Sequence, residues 1–235
     1  MQLFYNPNIS DTDTQILFPK EESRHIVKVL RKSSGDVLLI TNGKGWLFEA
    51  KITMADLKRC TAEIVSKTYH ENRNYKLHLA VAPTKMNDRY EWFLEKATEI
   101  GINTITPIIC QNSERKVIKK ERFEKIIQSA MKQSLQYHLP TLNDAIAFKS
   151  FLNQKFEGQT FIAHCEDTDR KSLKQELTTS EEIIILIGPE GDFSSEEIAL
   201  ALQKGFTAVT LGDTRLRTET AAIAACHSVA FSNQS

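Results

Sequence analysis

The stretch Ile183-Ile-Ile-Leu-Ile-Gly-Pro-Glu-Gly191 decides the fold of the second half of this chain. Its continuous aliphatic run, residues 183–187, is typical of a strand covered on both faces, because a strand with one wet face alternates apolar and polar residues. Other short apolar runs alternate with segments of helical periodicity, such as residues 88–100 and 195–204. This alternation predicts an α/β domain built on a parallel sheet.

The first seventy residues have a different pattern, which is rich in strand signals. Three β-rich runs and one short helix are predicted there, at residues 36–41, 46–53, 60–69 and 21–31. Asn42-Gly-Lys-Gly45 lies between the first two runs and predicts a hairpin turn. We therefore expect a small β-barrel over residues 1–72, followed by the α/β domain over residues 73–235.

Composition excludes several classes of protein. The 235 residues carry 30 Lys and Arg against 30 Asp and Glu, so any nucleic-acid surface must be a local patch. The four cysteines lie far apart and form no C-x-x-C pair, which argues against a zinc site or a disulfide framework. Each is expected to be a small core residue in a reducing compartment.

The sequence predicts a soluble cytoplasmic protein. Met1-Gln-Leu-Phe-Tyr-Asn6 lacks the basic and apolar regions of a signal peptide. The longest purely aliphatic run, residues 183–187, is far too short to cross a bilayer. No membrane segment and no metal ion are expected.

Two loops concentrate glycine and polar residues after apolar strands. The first is Gly188-Pro-Glu-Gly191, and Ser194-Ser-Glu-Glu197 after it matches a helix capping box. The second is Leu211-Gly-Asp-Thr-Arg-Leu-Arg-Thr-Glu-Thr-Ala221. Ligands bind at the carboxyl ends of strands in open α/β sheets, so we expect both loops to line one pocket. The simpler alternative for the first loop is a strand-to-helix turn with no ligand.

Charged residues of the second loop allow a functional and a structural interpretation. Arg215 and Arg217 favour contact with an anion or a nucleotide, although surface solubility would explain one of them. Glu219 stands near a helix start, where the helix dipole favours a carboxylate. The helix that follows is rich in alanine, which suits close packing in the core or across a subunit interface. The dinucleotide, Walker, G-x-S-x-G and H-E-x-x-H patterns are all missing.

Taken together, the two loops resemble the paired signature of SPOUT-class RNA methyltransferases. The closer resemblance is to the bacterial ribosomal RNA small subunit methyltransferase E family, which methylates N3 of a uridine in 16S rRNA. His25-Ile-Val-Lys-Val-Leu-Arg31 and Glu95-Lys-Ala-Thr-Glu-Ile-Gly101 are also similar to segments of that family. The resemblance extends over almost the whole chain.

This resemblance implies a trefoil-knotted α/β domain after a PUA- or OB-like barrel, with S-adenosylmethionine as methyl donor. By correspondence, three loops hold the donor, and Glu190 would accept from a ribose hydroxyl. The implied donor-binding residues are His164, Cys165, Gly188, Glu190, Gly191, Leu211, Gly212, Leu216, Thr218, Thr220 and Ala221. The class works as a homodimer, and the donor is already activated, so no metal is needed.

The chemistry of uridine points to residues for catalysis, and positive charge points to residues for RNA binding. N3 carries a proton, so Arg217 is the candidate for stabilising negative charge on O2 or O4, and Glu219 for taking the proton. Ribosomal RNA would be held by Arg24, Lys28 and Arg31 on the N-terminal helix and by Arg115 and Lys116. A solvated helix face is the alternative for the first three.

Two other functions stay open at this point. One is a SPOUT-type ribose 2′-O methyltransferase, which the barrel-first architecture disfavours. The other is an RNA-binding protein without catalysis. Asp192, where the family usually has glycine, and Thr214, where it usually has a basic residue, are the features that favour it.

Overall fold

The protein, described here from a computed structural model, divides into two compact units. Residues 2–166, 170–178 and 182–233 are described. Unit 1 comprises Met1–Asn72 and Met131–Leu139, and unit 2 comprises Arg73–Ala130 and Pro140–Ser235. The sequence interpretation assigned 131–139 to the second domain. Main-chain bonds explain the difference, because Gly45 N donates to Tyr137 O at 2.9 Å and Leu139 N donates to Gly43 O at 2.9 Å.

Unit 1 is built on a five-stranded sheet. Its strands are β1 (Leu3–Tyr5), β2 (Gln15–Leu17), β3 (Val37–Thr41), β4 (Trp46–Met54) and β5 (Thr61–Tyr69), in the order β1-β3-β4-β5-β2. The β3–β4 hairpin is confirmed, and Gly43 and Gly45 in its turn both have positive φ. Register shifts between β4 and β5 bend the sheet around an apolar core that includes Phe18, Ile40 and Phe48. Strand pairings among the described residues form an open path, not a closed barrel.

The N-terminal helix is shorter and wider than predicted. Helix α1 (Lys20–Arg24) continues as a π-helical turn, His25–Val29, in which Leu30 N donates to His25 O at 3.0 Å. Residue Arg31 then adopts a φ of 54°, so the helix predicted to reach residue 31 has already ended. A π turn holds more residues than an α turn, which displaces the side chains after it from the face expected for a regular α-helix.

Unit 2 contains a parallel sheet of eight strands with helices packed on it, as the sequence predicted. Its strands are β6 (Lys76–Val81), β7 (Thr104–Ile109), β8 (Thr141–Leu142), β9 (Ile146–Ala147), β10 (Gln159–Ala163), β11 (Lys171–Ser172), β12 (Glu182–Ile187) and β13 (Thr207–Thr210). The order is β11-β13-β10-β12-β6-β7-β8, with β9 also paired to β7. Its helices are α2 (Asn87–Ile100), α4 (Phe148–Leu152), α5 (Leu173–Glu176), α6 (Ser195–Gln203) and α7 (Thr218–Ser232), and α3 (Lys120–Gln133) runs past residue 130.

Strand β12 lies at the centre of this sheet, between β10 and β6. All of residues 183–187 are at most 2% exposed, which confirms the prediction of a strand covered on both faces. On one face, Ile184 and Leu186 belong to a cluster with Phe151 of α4 and Ile198 of α6. Helix α7 packs on β6 and β12, and α2 packs on α7.

The shortest elements were not predicted. Strands β8, β9 and β11 have two residues each, too few to produce a periodic pattern. β9 stands immediately before α4, which starts at Phe148. Within the described ranges, no helix has the length and apolar character that crossing a membrane requires.

A largely buried histidine in β6 makes the stability of unit 2 depend on pH. His78 Nε2 lies 2.7 Å from Thr106 Oγ1, and Asn143 Nδ2 donates to the same hydroxyl oxygen at 2.8 Å. The Thr106 proton therefore remains available to an unprotonated imidazole nitrogen. Burial lowers the pKa of His78 from 6.5 to about 4.

We expect the free energy of unfolding to fall as the pH falls from 6.5 towards 4. The folded pKa of His78 lies below the unfolded value, so the unfolded chain binds the proton more readily over this range. At pH 5 the cost is about 2 kcal/mol for this one group. Urea unfolding of wild type and His78→Gln at pH 7 and pH 5 measures it. The exposed His227, changed to Gln, is the control; equal losses in all three proteins would contradict the assignment.

Candidate functional site

Three neighbouring strands bring three loops to one edge of the sheet in unit 2. Strands β13, β10 and β12 are adjacent and parallel, so the loops that follow them leave from the same side. A cavity of about 320 Å³ lies between the loops after β10 and β13, and one of about 240 Å³ lies between all three. The prediction that loops 188–191 and 211–221 line one pocket is therefore confirmed.

Most of the sequence-predicted donor residues line these two cavities. The first is lined by His164, Cys165, Leu211, Gly212, Leu216 and Ala221, and the second by Cys165, Gly188, Glu190, Leu216, Thr218 and Ala221. Arg217 lines the second cavity as well. Gly191 lines neither, and Thr220 lines a third cavity together with Glu219.

Side-chain bonds tie the loops to one another. Thr218 Oγ1 donates to Gly188 O at 3.0 Å, and Lys85 N donates to Glu190 Oε1 at 2.9 Å. Asp192 Oδ2 accepts from Cys165 N at 2.7 Å. These bonds join the loops after β6, β10, β12 and β13, so the walls of the pocket are held in place by the protein itself.

Asp192 has the backbone conformation for which glycine is usually selected. Its φ is 62°, in the left-handed region, which aspartate tolerates better than most residues. Asn112 Nδ2 donates to the carbonyls of Gly191 and Asp192, at 3.2 Å and 3.1 Å. The departure from glycine therefore keeps the turn and adds a carboxylate that holds the loop after β10.

The glycines of the first loop serve close packing. A Cβ on Gly188 would lie 3.1 Å from two ring atoms of Phe193, and a Cβ on Gly191 would lie 3.2 Å from Asn112 Cβ. Neither glycine has positive φ. The capping box after this loop is confirmed: Ser194 Oγ accepts from Glu197 N, and Glu197 accepts from Ser194 N.

Several buried polar atoms at the cavities have no hydrogen-bond partner in the described part of the chain. They are both ring nitrogens of His164, Oε2 of Glu190 and Oε2 of Glu219. Buried polar groups are normally satisfied, so unpaired ones beside a cavity are available to a polar ligand or to water. Burial lowers the pKa of His164, with Arg170 adding to the effect and Asp192 opposing it. The ring is therefore neutral at physiological pH.

One cysteine departs from its predicted role. Cys165 is exposed and lines both cavities, whereas Cys60, Cys110 and Cys226 are buried as expected. The core prediction is therefore wrong for Cys165, which stands in the loop after β10 and not in a strand or helix. Among the residues with described positions, no group of His, Cys, Asp or Glu side chains is arranged to hold a metal ion.

A third cavity, of about 610 Å³, adjoins the second. It is lined by Asp88, Arg89, Trp92, Arg215, Leu216, Arg217, Glu219 and Thr220. The side chain of Glu219 is only 8% exposed, and its Oε1 lies 3.8 Å from Arg89 Nε. Sequence reasoning missed the contribution of α2. Asp88 and Trp92 are four residues apart on its exposed face, a spacing that would have shown them together.

The predicted RNA-binding residues lie in both units. Arg24, Lys28 and Arg31 are exposed in unit 1, and Lys116 is exposed in unit 2. Arg115 donates to Thr84 O at 3.1 Å and to Lys85 O at 2.7 Å. Its guanidinium group therefore holds the loop after β6.

Comparisons with known proteins agree on one family. A model described as RNA methyltransferase domain matches residues 70–230, and one described as RNA methyltransferase PUA domain matches residues 18–65. Ribosomal RNA small subunit methyltransferase E of Buchnera aphidicola subsp. Schizaphis graminum is 31% identical over 221 residues, covering 89% of this chain and 87% of the relative.

Solved structures agree with this result. A probable rRNA methyltransferase from Porphyromonas gingivalis superposes with a TM-score of 0.92 at 38% identity, covering 99% of this chain and 98% of the other. A ribosomal RNA small subunit methyltransferase E from Neisseria gonorrhoeae, solved bound to S-adenosyl methionine, has a TM-score of 0.86 at 29% identity, with coverages of 96% and 95%.

The left-handed conformation of Asp192 reverses the usual order of two substitutions. We expect Asp192→Ala to lower the free energy of unfolding by about 1 kcal/mol more than Asp192→Gly, because only glycine adopts this φ without strain. Urea denaturation measures both. The same pair at Asp144, exposed and without positive φ, is the control, where alanine should be the more stable. Glycine less stable than alanine at position 192 would disprove the strain argument.

Proposed function

The chain belongs to the RNA methyltransferase family, and from this membership we propose that it transfers a methyl group from S-adenosylmethionine to N3 of a uridine in 16S rRNA. Its curated relatives are ribosomal RNA small subunit methyltransferases E, which supports ribosomal RNA as substrate. The observation that carries the proposal is the pair of adjoining sites, in which cavities among three loops meet a third cavity containing an unpaired carboxylate.

The first two cavities fit the methyl donor. Oε2 of Glu190 is buried and unpaired at their edge, so it would accept from a ribose hydroxyl, while loop main-chain groups of Leu211 and Gly212 would contact the adenine. His164 is neutral and adds no positive charge beside a sulfonium. The donor supplies a methyl carbon whose bond to sulfur breaks, with the electron pair staying on sulfur, as N3 forms its new bond to that carbon.

Glu219 and Arg217 would prepare the acceptor. Uridine N3 is a poor nucleophile until its proton leaves, and Glu219 Oε2 is a buried acceptor without a partner among the described residues. Arg217 lines both the second and the third cavity, so its positive charge would stabilise the negative charge that develops on a uracil carbonyl oxygen. The proton of N3 thus goes to Glu219, and its electron pair goes to the new bond.

Exposed cations would hold the RNA backbone. Arg24, Lys28 and Arg31 are all exposed around the helical segment of unit 1, and Lys116 is exposed in unit 2. Long cationic side chains on a surface suit contacts with phosphates, which add affinity without reading the sequence. Arg115 is a weaker candidate because its guanidinium already binds two carbonyl groups.

The family resemblance also leads us to propose a trefoil knot in the second domain and a cytoplasmic homodimer. Ala222, Ala225 and Cys226 of α7 are buried in the same chain, where α7 packs on α2. They therefore serve packing within one chain. A second copy would cover the remaining face of α7, which includes Ile223, Ala224 and the 65% exposed Phe231.

No particular residue supports either of the two alternative functions. A non-catalytic RNA-binding protein was favoured by Asp192, but that residue keeps the left-handed turn and binds the neighbouring loop. Thr214 lines the first cavity without an unusual contact. A ribose 2′-O methyltransferase would leave a methylated sugar, which nucleoside analysis separates from a methylated base.

The proposed reaction is tested with Glu219→Gln. Ribosomal RNA from cells lacking the protein should lack N3-methyluridine, and the purified protein should restore it, measured by mass spectrometry of digested RNA. In Glu219→Gln we expect kcat to fall about a hundredfold or more, because the amide takes no proton. Affinity for S-adenosylmethionine, measured by calorimetry, should not change. Glu196→Gln, an exposed carboxylate in the first turn of α6, is the control. A methylated ribose in place of N3-methyluridine would refute the proposal.

The role of unit 1 is tested by removing two charges. The double variant Arg24→Ala, Lys28→Ala should bind rRNA more weakly, with the slope of log affinity against log salt reduced by about two units if both contact phosphates. Lys58→Ala, Arg59→Ala removes the same charge from another exposed site of unit 1 and should leave the slope unchanged. Identical slopes in the wild type and both variants would mean that Arg24 and Lys28 form only a solvated face.

A further inference from the structure

We propose that the third cavity, lined by α2, α7 and the loop between β13 and α7, binds the target nucleobase, with its ring stacked on Trp92. The proposal rests on the methyl transfer proposed above and adds the site that selects the acceptor. It gives residues of α2 a role in substrate recognition: Trp92 as a stacking surface, and Arg89 as a specificity-determining residue.

The position of this cavity meets the first requirement of an acceptor site. Arg215, Leu216 and Arg217 line both the second cavity and the third, so the donor and acceptor cavities share one wall. Methyl transfer needs the nucleophile, the methyl carbon and the leaving sulfur in line and nearly in contact, which adjoining cavities allow. At about 610 Å³, the third cavity is large enough to take a base together with its ribose.

Trp92 provides the surface on which a base would stack. It is one of two tryptophans in the chain and is 45% exposed, while its neighbour Phe93 is fully buried. A half-exposed indole beside a cavity that also holds arginines is the combination found where unpaired bases bind proteins. Stacking of a base on an aromatic side chain adds affinity and needs no particular base.

The polar groups at the cavity match the edge of uracil. That edge presents O4, the N3–H group and O2, in the order acceptor, donor, acceptor. Glu219 is more than nine-tenths buried, its Oε1 faces Arg89 Nε at 3.8 Å, and its Oε2 has no partner among the described residues. Arg89, Glu219 and Arg217 all line the cavity, so their side chains supply it with two donor groups and one acceptor group.

The same arrangement rejects cytosine. Cytosine carries a lone pair at N3 and an amino group at position 4, so the acceptor oxygen of Glu219 would face a lone pair and an arginine would face a second donor. Buried polar groups left unpaired in this way oppose binding, so the pocket discriminates between the two bases. The pocket therefore selects a base with an N3–H group between two carbonyls.

Kinetics with small ribosomal subunits test the stacking surface. For Trp92→Ala we expect the KM for RNA to rise about tenfold, from the loss of stacking. Trp92→Phe, which keeps an aromatic ring, should recover most of the loss. Affinity for S-adenosylmethionine should be unchanged in both. Leu202→Ala, at an apolar residue 46% exposed on α6, is the control. A normal KM in Trp92→Ala would overturn the proposal while leaving the methyltransferase activity of the wild type intact.

A binding measurement keeps the proposal testable if Trp92→Ala does not fold. In a Trp46→Phe background Trp92 is the one remaining indole, and its fluorescence reports directly on the cavity. Oligouridylate should quench it more strongly than oligocytidylate of equal length, and Arg89→Ala should reduce that difference. Equal quenching by both, or none, would overturn the proposal.

Sedimentation equilibrium of wild type and Trp92→Ala separates recognition from assembly and also tests the homodimer. We expect the same oligomeric state in both proteins. If the variant alone dissociates, Trp92 is covered by a second copy of the chain, and the acceptor site proposed here is wrong.

Discussion

The parallel main-chain ladder that joins β6, β12, β10 and β13 is the constraint on which the functional region depends. Ile187 of β12 pairs with Val81 of β6 and with Ala163 of β10, and Ala163 pairs in turn with Val209 of β13. Four strands therefore end at nearly the same level. The loops after β10, β12 and β13 line the cavities, and the loop after β6 is bonded to Glu190, so the register of the sheet sets the distances between loops distant in sequence.

Hydrogen bonds from polar side chains hold the aligned loops in place around the pocket. Glu197 caps α6 through Ser194 and at the same time accepts from Gln111 N at 2.8 Å, so the start of a helix also holds the loop after β7. Glu190 similarly accepts from Lys85 N with one oxygen and leaves the other unpaired. Glu197 thus uses both carboxylate oxygens for structural bonds, whereas Glu190 uses one and keeps the other as a free acceptor beside the second cavity.

The sequence predicted those elements that depend on a periodic pattern or on residues adjacent in the chain. The aliphatic run of β12 and the helical segment at residues 88–100 are close to the observed β12 and α2, since each depends on local composition. Contacts between segments that are distant in the sequence could not be predicted from it. The acceptor cavity needs Trp92 and Glu219 in one place, which requires the packing of α2 on α7. The π turn was not predicted either, because residues 25–29 have an ordinary helical pattern.

Segment Met131–Leu139 has a consequence for how this chain is made. It belongs to unit 1 although unit 2 precedes and follows it, so no single cut separates the units into complete pieces. A fragment ending at residue 72 lacks the strand-like pairing that His138 makes with Lys44. During synthesis, which adds residues from the N-terminus at about 5–20 per second, unit 1 stays incomplete while the first part of unit 2 is produced. Unit 1 is thus finished only after the ribosome has passed residue 139, and its folding is tied to the synthesis of its neighbour.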